Sequence, residues 1–228
     1  MKACDMSFAI MSIAFACMLA GCGNGQKHSA TSRNPPDKII AAIDELPRRL
    51  ACTEWKDVEG FVYSNVCHAI RTADKKERKA YIVSYTNAVL QLEAEFGHVC
   101  HPDSSDLRKR LVMLENYRVF VQWGFALMDE SFPSEPRMWD FLLRPVLLMR
   151  REMEGHMRRL VDGSGNSRNV ESEYVRKLND HIDTCRYYVK AVWYREARSK
   201  MTPSQMEEVR GKVRRAFGTL PPEMAKDE

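Results

Sequence analysis

Residues 81–97 read YIVSYTNAVLQLEAEFG, and within them Ile82, Tyr85, Val89, Leu92 and Phe96 recur at alternating steps of three and four. That spacing lays one apolar stripe along an α-helix, and Gly97 is a residue that commonly follows a helix C-terminus. A half-buried strand would alternate at every second position, and no segment of the chain does so cleanly. The same helical rhythm extends in both directions. Upstream, Ile39, Ile40, Ile43 and Leu46 mark a short helix stopped near Pro47, and Trp55, Val58, Val62, Val66 and Ile70 mark a second over 53–71. Downstream, Leu107, Leu111, Leu114, Tyr117, Val121, Phe125 and Met128 form one stripe, and Trp139, Leu142, Val146, Met149, Met153, Met157 and Leu160 form another, kinked at Pro145.

Beyond the turn at 163–167, Val170, Tyr174, Leu178, Ile182, Cys185, Val189 and Val192 line the longest helix. The last helix opens at Thr202-Pro203-Ser204-Gln205, a capping threonine with proline in the first turn and glutamine three residues on. Met206, Val209, Val213 and Phe217 are its buried face. Each helix carries one apolar stripe and a charged remainder, so each must bury that stripe against others. Short connections such as Thr72–Asp74 place neighbours antiparallel. The expectation is an all-α bundle of about six or seven mostly antiparallel helices over 38–218, followed by a polar tail at 219–228.

The first 22 residues, MKACDMSFAIMSIAFACMLAGC, are of another kind. Lys2 is followed by an almost unbroken apolar run from Ser7 to Ala20, about 21 Å long as a helix and short of a roughly 30 Å hydrocarbon core. A short apolar segment behind a basic residue, ending in small residues, is the pattern of an export signal. Leu19-Ala20-Gly21-Cys22 resembles the lipobox of bacterial lipoproteins. The resemblance implies a signal peptide at 1–21, cleavage before Cys22, and diacylglycerol on its sulfur with a further acyl chain on its new amino group. Gly23 stands where aspartate in such proteins favours retention in the inner membrane, so the outer membrane is the expected address in a Gram-negative envelope. Residues 22–37, rich in Gly, Ser and Pro, read as a flexible tether.

Seven cysteines then divide by fate. Cys4 and Cys17 leave with the signal and Cys22 takes lipid, which leaves Cys52, Cys67, Cys100 and Cys185 in an oxidising compartment. On a helix over 53–71, Cys52 and Cys67 lie about 20 Å apart, far beyond the span of a disulfide. If that helix is antiparallel to the next, Cys67 is about 30 Å from the level of Cys100. The surviving pairings are Cys52–Cys100 and Cys67–Cys185, with Cys185 as a buried free thiol the competing reading.

Metal ligation has two footholds. One is His98, Cys100 and His101 with Cys67-His68, including a single E-x-x-H at Glu95–His98, where a di-iron bundle needs two such motifs. The other is Met149, Met153 and Met157 with His156, ligand types that suit Cu(I) but equally fill a core. His28 falls in the tether and His181 among Asp180 and Asp183, neither with a partner in sequence. No G-x-S-x-G, Gly-rich phosphate loop or H-E-x-x-H is present, so no catalytic residue, resident metal or other cofactor is expected, and a hydrolase ranks last.

The net charge of +4 has a local source. Arg186, Lys190, Arg195, Arg198, Lys200, Arg210, Lys212, Arg214 and Arg215 gather within thirty residues with Tyr187, Tyr188, Trp193 and Tyr194 interleaved. Such a segment invites a nucleic-acid reading, but export removes that partner. Anionic lipid headgroups, lipopolysaccharide phosphates or an acidic protein remain, as does a plain solvated face. Met201-Thr202-Pro203-Ser204-Gln205 resembles the L-T-x-x-Q motif of periplasmic chaperones of the Spy and CpxP type, which implies ATP-independent holding of unfolded clients. The leading expectation is a structural or adaptor protein that binds through its basic C-terminal helices; chaperone or metal handling is the alternative.

Overall fold

The helix Leu107–Leu127 has almost no solvent face: Met113, Leu114, Tyr117, Phe120, Val121 and Phe125 are buried, and so are Arg110, Asn116, Arg118 and Gln122 on its other sides. A helix buried all round must lie at the centre, and the rest of the fold is arranged about it. The computed structural model describes residues 36–99, 106–127, 134–162 and 168–225. Among these, eight helices and no strand occur. They are α1 (Pro36–Cys52), α2 (Trp55–Phe61 continuing through Val62–Cys67 to His68–Thr72), α3 (Lys75–Val99), α4 (Leu107–Leu127), α5 (Pro136–Asp162), α6 (Arg168–Val192, continuing through Trp193–Ala197), α7 (Pro203–Phe217) and α8 (Pro222–Ala225). Helix α4 packs against α1, α2 and α3 on one side and α5 and α6 on the other, while α7 lies on α5. This is the all-α bundle that the periodicity requires.

Several boundaries differ from the sequence reading, for reasons that lie elsewhere in the chain. Helix α1 does not stop at Pro47 but runs to Cys52, with Leu46 and Leu50 both at 0% exposure. Its C-terminal carbonyls have a partner that local sequence cannot show: Asn116 Nδ2 of α4 donates to Leu50 O and Thr53 O, each at 2.7 Å. In α2 the residues Val62–Cys67 form a π-helical stretch. Its wider turn brings Val66 and Cys67 together into the core with Val62 and Ile70. Helix α3 continues two residues past Gly97. Helix α5 spans Pro145 as one helix, as the single stripe on both sides of it requires, and Pro145 is itself buried.

The close approach of α3 and α4 is made at Gly124. Tyr85 OH donates to Phe120 O at 2.8 Å, its ring lies 4.3 Å from that of Phe120, and the space a Cβ on Gly124 would need is taken by the same ring. On the far side Trp139 of α5 is wholly buried between Phe125 and Trp193, with ring centroids 6.5 and 6.1 Å away. The start of α7 is a reciprocal cap: Gln205 N donates to Thr202 Oγ1 at 3.3 Å and Thr202 N donates to Gln205 Oε1 at 2.8 Å. Gly218, at φ 80°, ends it in the left-handed conformation that glycine adopts without strain. The stretch 219–225, read from sequence as part of a polar tail, holds α8, whose Met224 is fully buried.

The disulfide expectation is overturned. Cys67 and Cys185 are both free and buried. The central helix packs against both α2 and α6, and Cys185 Sγ lies 4.0 Å from Gln122 Nε2 of α4. Burial pushes the Cys67 thiol up to about 12 and that of Cys185 up to about 11, so both behave as small apolar core residues. The Cys52–Cys100 pairing falls on side chains outside the described set, as do Cys22, His28, His98, His101 and Met128.

Candidate functional site

Two polar constellations stand out, one closed and one open. The closed one crosses three helices at the same end of the bundle. Arg110 of α4 donates from Nε to Glu152 Oε1 of α5 at 2.6 Å, and Tyr174 OH of α6 donates to the same oxygen at 3.1 Å. His156 Nε2 lies 3.1 Å from that oxygen and 2.8 Å from Arg159 Nη2, while its Nδ1 is paired with Glu171 of α6. The imidazole also packs 4.5 Å from the Tyr174 ring. Burial opposes ionisation of Glu152, but hydrogen bonds from His156 and Arg110 outweigh it and hold the carboxyl below its ordinary value.

Each member of this network sits on an apolar seam. Arg110 falls between Leu107 and Leu114 on α4; Glu152 and His156 continue the seam of Trp139, Leu142, Val146 and Met149 on α5; Glu171 precedes Tyr174 and Leu178 on α6. The sequence stripes miss them because they follow hydrophobic residues only. On α5 the stripe was carried on through Met153 and Met157, yet steps of four drift off the core face, and Met157 is 47% exposed while His156 is 1% exposed. On α6, Val170 is exposed and Glu171 takes the interior place. The signal that finds such residues is a heptad position occupied by a charge on each of three neighbouring helices.

The chemistry of the closed network is cohesive. His156 and Glu171 are 1% and 2% exposed, so a substrate has no direct approach to either. Among the described residues no three His, Cys, Asp or Glu side chains are arranged to hold a metal ion. Met149, Met153 and Met157 range from buried to exposed, so they do not share one interior point.

The open constellation is a cleft of about 470 Å³ between α5 and α7, reaching Glu93 of α3. Leu143, Leu147, Leu148 and Ala216 give it an apolar wall, with Leu147 47% exposed. Its polar lining is Arg144, Arg151, Lys212 and Arg215 against Glu93 and Asp140. At one end the charges are neutralised. Arg144 Nε donates to Glu93 Oε2 at 2.8 Å, a carboxylate that also accepts from Tyr117 OH at 2.5 Å. Lys212 Nζ donates to Asp140 Oδ2 at 2.5 Å and Pro136 O at 2.9 Å, with Glu208 3.3 Å away. At the other end Arg150 Nη1 donates to Arg215 O and Ala216 O, at 3.2 and 2.9 Å, and so ties the part of α5 beside Arg151 to the part of α7 that carries Arg215. Arg151 and Arg215 are both exposed, and among the described residues neither has an ion-pair partner.

The basic segment read from sequence is therefore divided in space. Lys212 and Arg215 line the cleft. Arg186 pairs with Asp183 at 3.0 Å and lies over the Phe217 ring, and Lys190 pairs with Glu223. Arg210 is 6% exposed, donates from Nε to Met224 O at 3.0 Å and lies 5.6 Å from the Trp193 ring. Arg195, Arg198, Arg214 and Lys200 remain on the exposed surface. Arg144 and Arg151 complete the cleft from α5, about 60 residues earlier in the chain than α7, and a search for a continuous basic run passes over them. Among the described residues no helix is long and apolar enough to cross a membrane. Against family models, curated proteins and solved structures, the chain finds no match.

Proposed function

We propose that this is a lipid-anchored protein of the bacterial envelope that works by binding, offering the cleft between α5 and α7 to an anionic partner. The anchor half of the reading rests on Leu19-Ala20-Gly21-Cys22, and on the apolar segment before it that is too short to span. Acylated Cys22 would fasten the chain, with the polar stretch that follows as tether; Gly23 favours the outer membrane if the envelope is Gram-negative. The binding half rests on one observation: two exposed guanidiniums, Arg151 and Arg215, share one end of a cleft whose other cations are already compensated. Uncompensated arginines beside apolar surface attract anionic groups and hold them by paired N–H donors.

The test takes both halves separately. Cells expressing the protein should incorporate labelled palmitate into it, and Cys22→Ala should abolish the label; unlabelled, soluble mature protein after export would remove the anchor. In-cell cross-linking from a photoreactive residue at position 147 should capture a partner, and Arg151→Gln with Arg215→Gln should reduce that capture. Capture unaffected by the double variant would remove the cleft from the account.

A further inference from the structure

The cleft has more character than a basic face, and its two ends differ. Resting on the reading of this cleft as the binding surface, we infer that it accommodates a phosphate-bearing amphiphile, with the phosphate between Arg151 and Arg215 and the apolar portion along Leu143, Leu147 and Leu148. Four features favour this over a flat acidic surface. The volume of about 470 Å³ is that of a small-molecule cleft. The closed end is sealed by the Lys212–Asp140 and Arg144–Glu93 pairs, so a ligand anion has no free cation to meet there. The open end offers two planar guanidiniums, whose forked donors match the oxygens of a phosphate. Between them lies exposed leucine, which water solvates poorly and an acyl or prenyl segment would cover.

The positions repeat at helical spacing on both walls, which is why the sequence can build such a cleft from two helices. On α5, Arg144, Leu147 and Arg151 fall at steps of three and four; on α7, Arg215 and Ala216 follow Lys212 by three and four residues. Each wall therefore turns a cation, an apolar surface and a paired charge toward the opening.

Isothermal titration of the purified soluble domain (36–228) would first require that this piece be folded, so the full chain, lipidated and held in neutral detergent, is the material to use. Three probes are titrated: inorganic phosphate, dihexanoyl-phosphatidylglycerol below its micelle concentration, and dihexanoylglycerol, which has the same chains and no phosphate. The phosphatidylglycerol should bind saturably and about tenfold or more tighter than phosphate, an increment that burying roughly two methylenes supplies. Dihexanoylglycerol should bind more weakly than phosphatidylglycerol. Arg151→Gln with Arg215→Gln should lower affinity for phosphatidylglycerol at least about tenfold, the loss expected when charge-assisted hydrogen bonds go. Leu147→Asp should erase the advantage of the lipid over phosphate, and Arg108→Gln, an exposed charge on α4 outside the cleft, should change nothing.

Phosphate binding as tightly as phosphatidylglycerol would overturn the amphiphile, and dihexanoylglycerol binding as well as phosphatidylglycerol would overturn the phosphate. Wild-type levels of binding in the double arginine variant would overturn the site. Circular dichroism of each variant separates loss of binding from loss of fold. If the full chain captures a partner through position 147 yet binds none of the probes, the amphiphile falls while the binding reading stands.

Discussion

A single absent side chain sets how closely the two halves of the N-terminal packing can approach. Gly124 gives the Tyr85 ring the volume that any Cβ would claim, and that ring is wholly buried with its hydroxyl already spent on Phe120 O. Neither partner can yield without breaking a buried hydrogen bond or moving a helix. Gly124→Ala should therefore destabilise the protein by about 1–3 kcal/mol despite the gain in helix propensity, as an overpacked core does. Thermal or urea denaturation checks this, and an alanine variant as stable as wild type would show that α3 and α4 can part at no cost. The same scale governs the thiols. Cys67 and Cys185, raised to about 12 and about 11 by burial, should resist maleimide in the native state and label fully in denaturant. Rapid native labelling of either would contradict the packing described.

At the scale of the element, α5 and α6 carry charges on faces where hydrophobic residues are the rule, and pH should expose the consequence. His181 of α6 is held down to about 4 by burial, with Arg118 and Lys177 adding to the effect. The unfolded chain binds a proton there near pH 6.5 and the folded chain does not, so stability should fall as pH drops from about 6.5 to about 4. A loss of about 1–3 kcal/mol is expected over that window, less than the full shift implies because the ring is only partly enclosed. Glu152 acts in the same direction at lower pH. Its lowered folded value means that its contribution is present above the ordinary carboxylate range and disappears as pH falls through the folded value, extending the loss to stronger acid. Urea denaturation at successive pH values should show His181→Asn flattening the first part of the decline and Glu152→Gln the last. Parallel curves for wild type and both variants would mean that neither group is responsible.

Legibility in the sequence also follows element by element. The stripe that ends at Phe96 and the cap at Thr202 were readable because each depends only on residues within one helix. The end of α1 was not, since its carbonyls are served by Asn116 from more than sixty positions away. The polar seam of Arg110, Glu152, His156 and Glu171 escaped a method that follows hydrophobic residues, and the cleft escaped one that looks for charge runs. Arg151 and Arg215 come to line one cleft only when α5 and α7 pack. The disulfide inference failed at the same level. Pairing Cys67 with Cys185 requires α2 and α6 to meet at the two thiols, whereas each helix packs on α4 and both thiols are free.

For the whole molecule, the segment richest in positive charge serves two ends, and charge reversal should separate them. Arg210 is interior: it lies over Trp193, holds α8 through Met224 O, and has Glu207 3.6 Å away. Arg210→Glu would place an unpaired anion beside that carboxylate in a closed setting, a change of the kind that costs about 3–5 kcal/mol. Arg151 and Arg215 are exposed and hold no described ion pair, so reversing both to Glu should move stability by less than about 1 kcal/mol. Binding should respond in the reverse order. The double cleft reversal should abolish capture of an anionic partner in a protein that still melts cooperatively near the wild-type temperature, and Arg210→Glu should lower that temperature first. Because exposed charges are screened beyond about 8–10 Å at physiological salt, wild-type capture should also weaken as salt is raised. Denaturation curves and salt-dependent capture, measured together on both variants, decide the assignment. A cleft reversal that unfolds the protein, or capture indifferent to salt, would return Arg151 and Arg215 to the ordinary solvated surface.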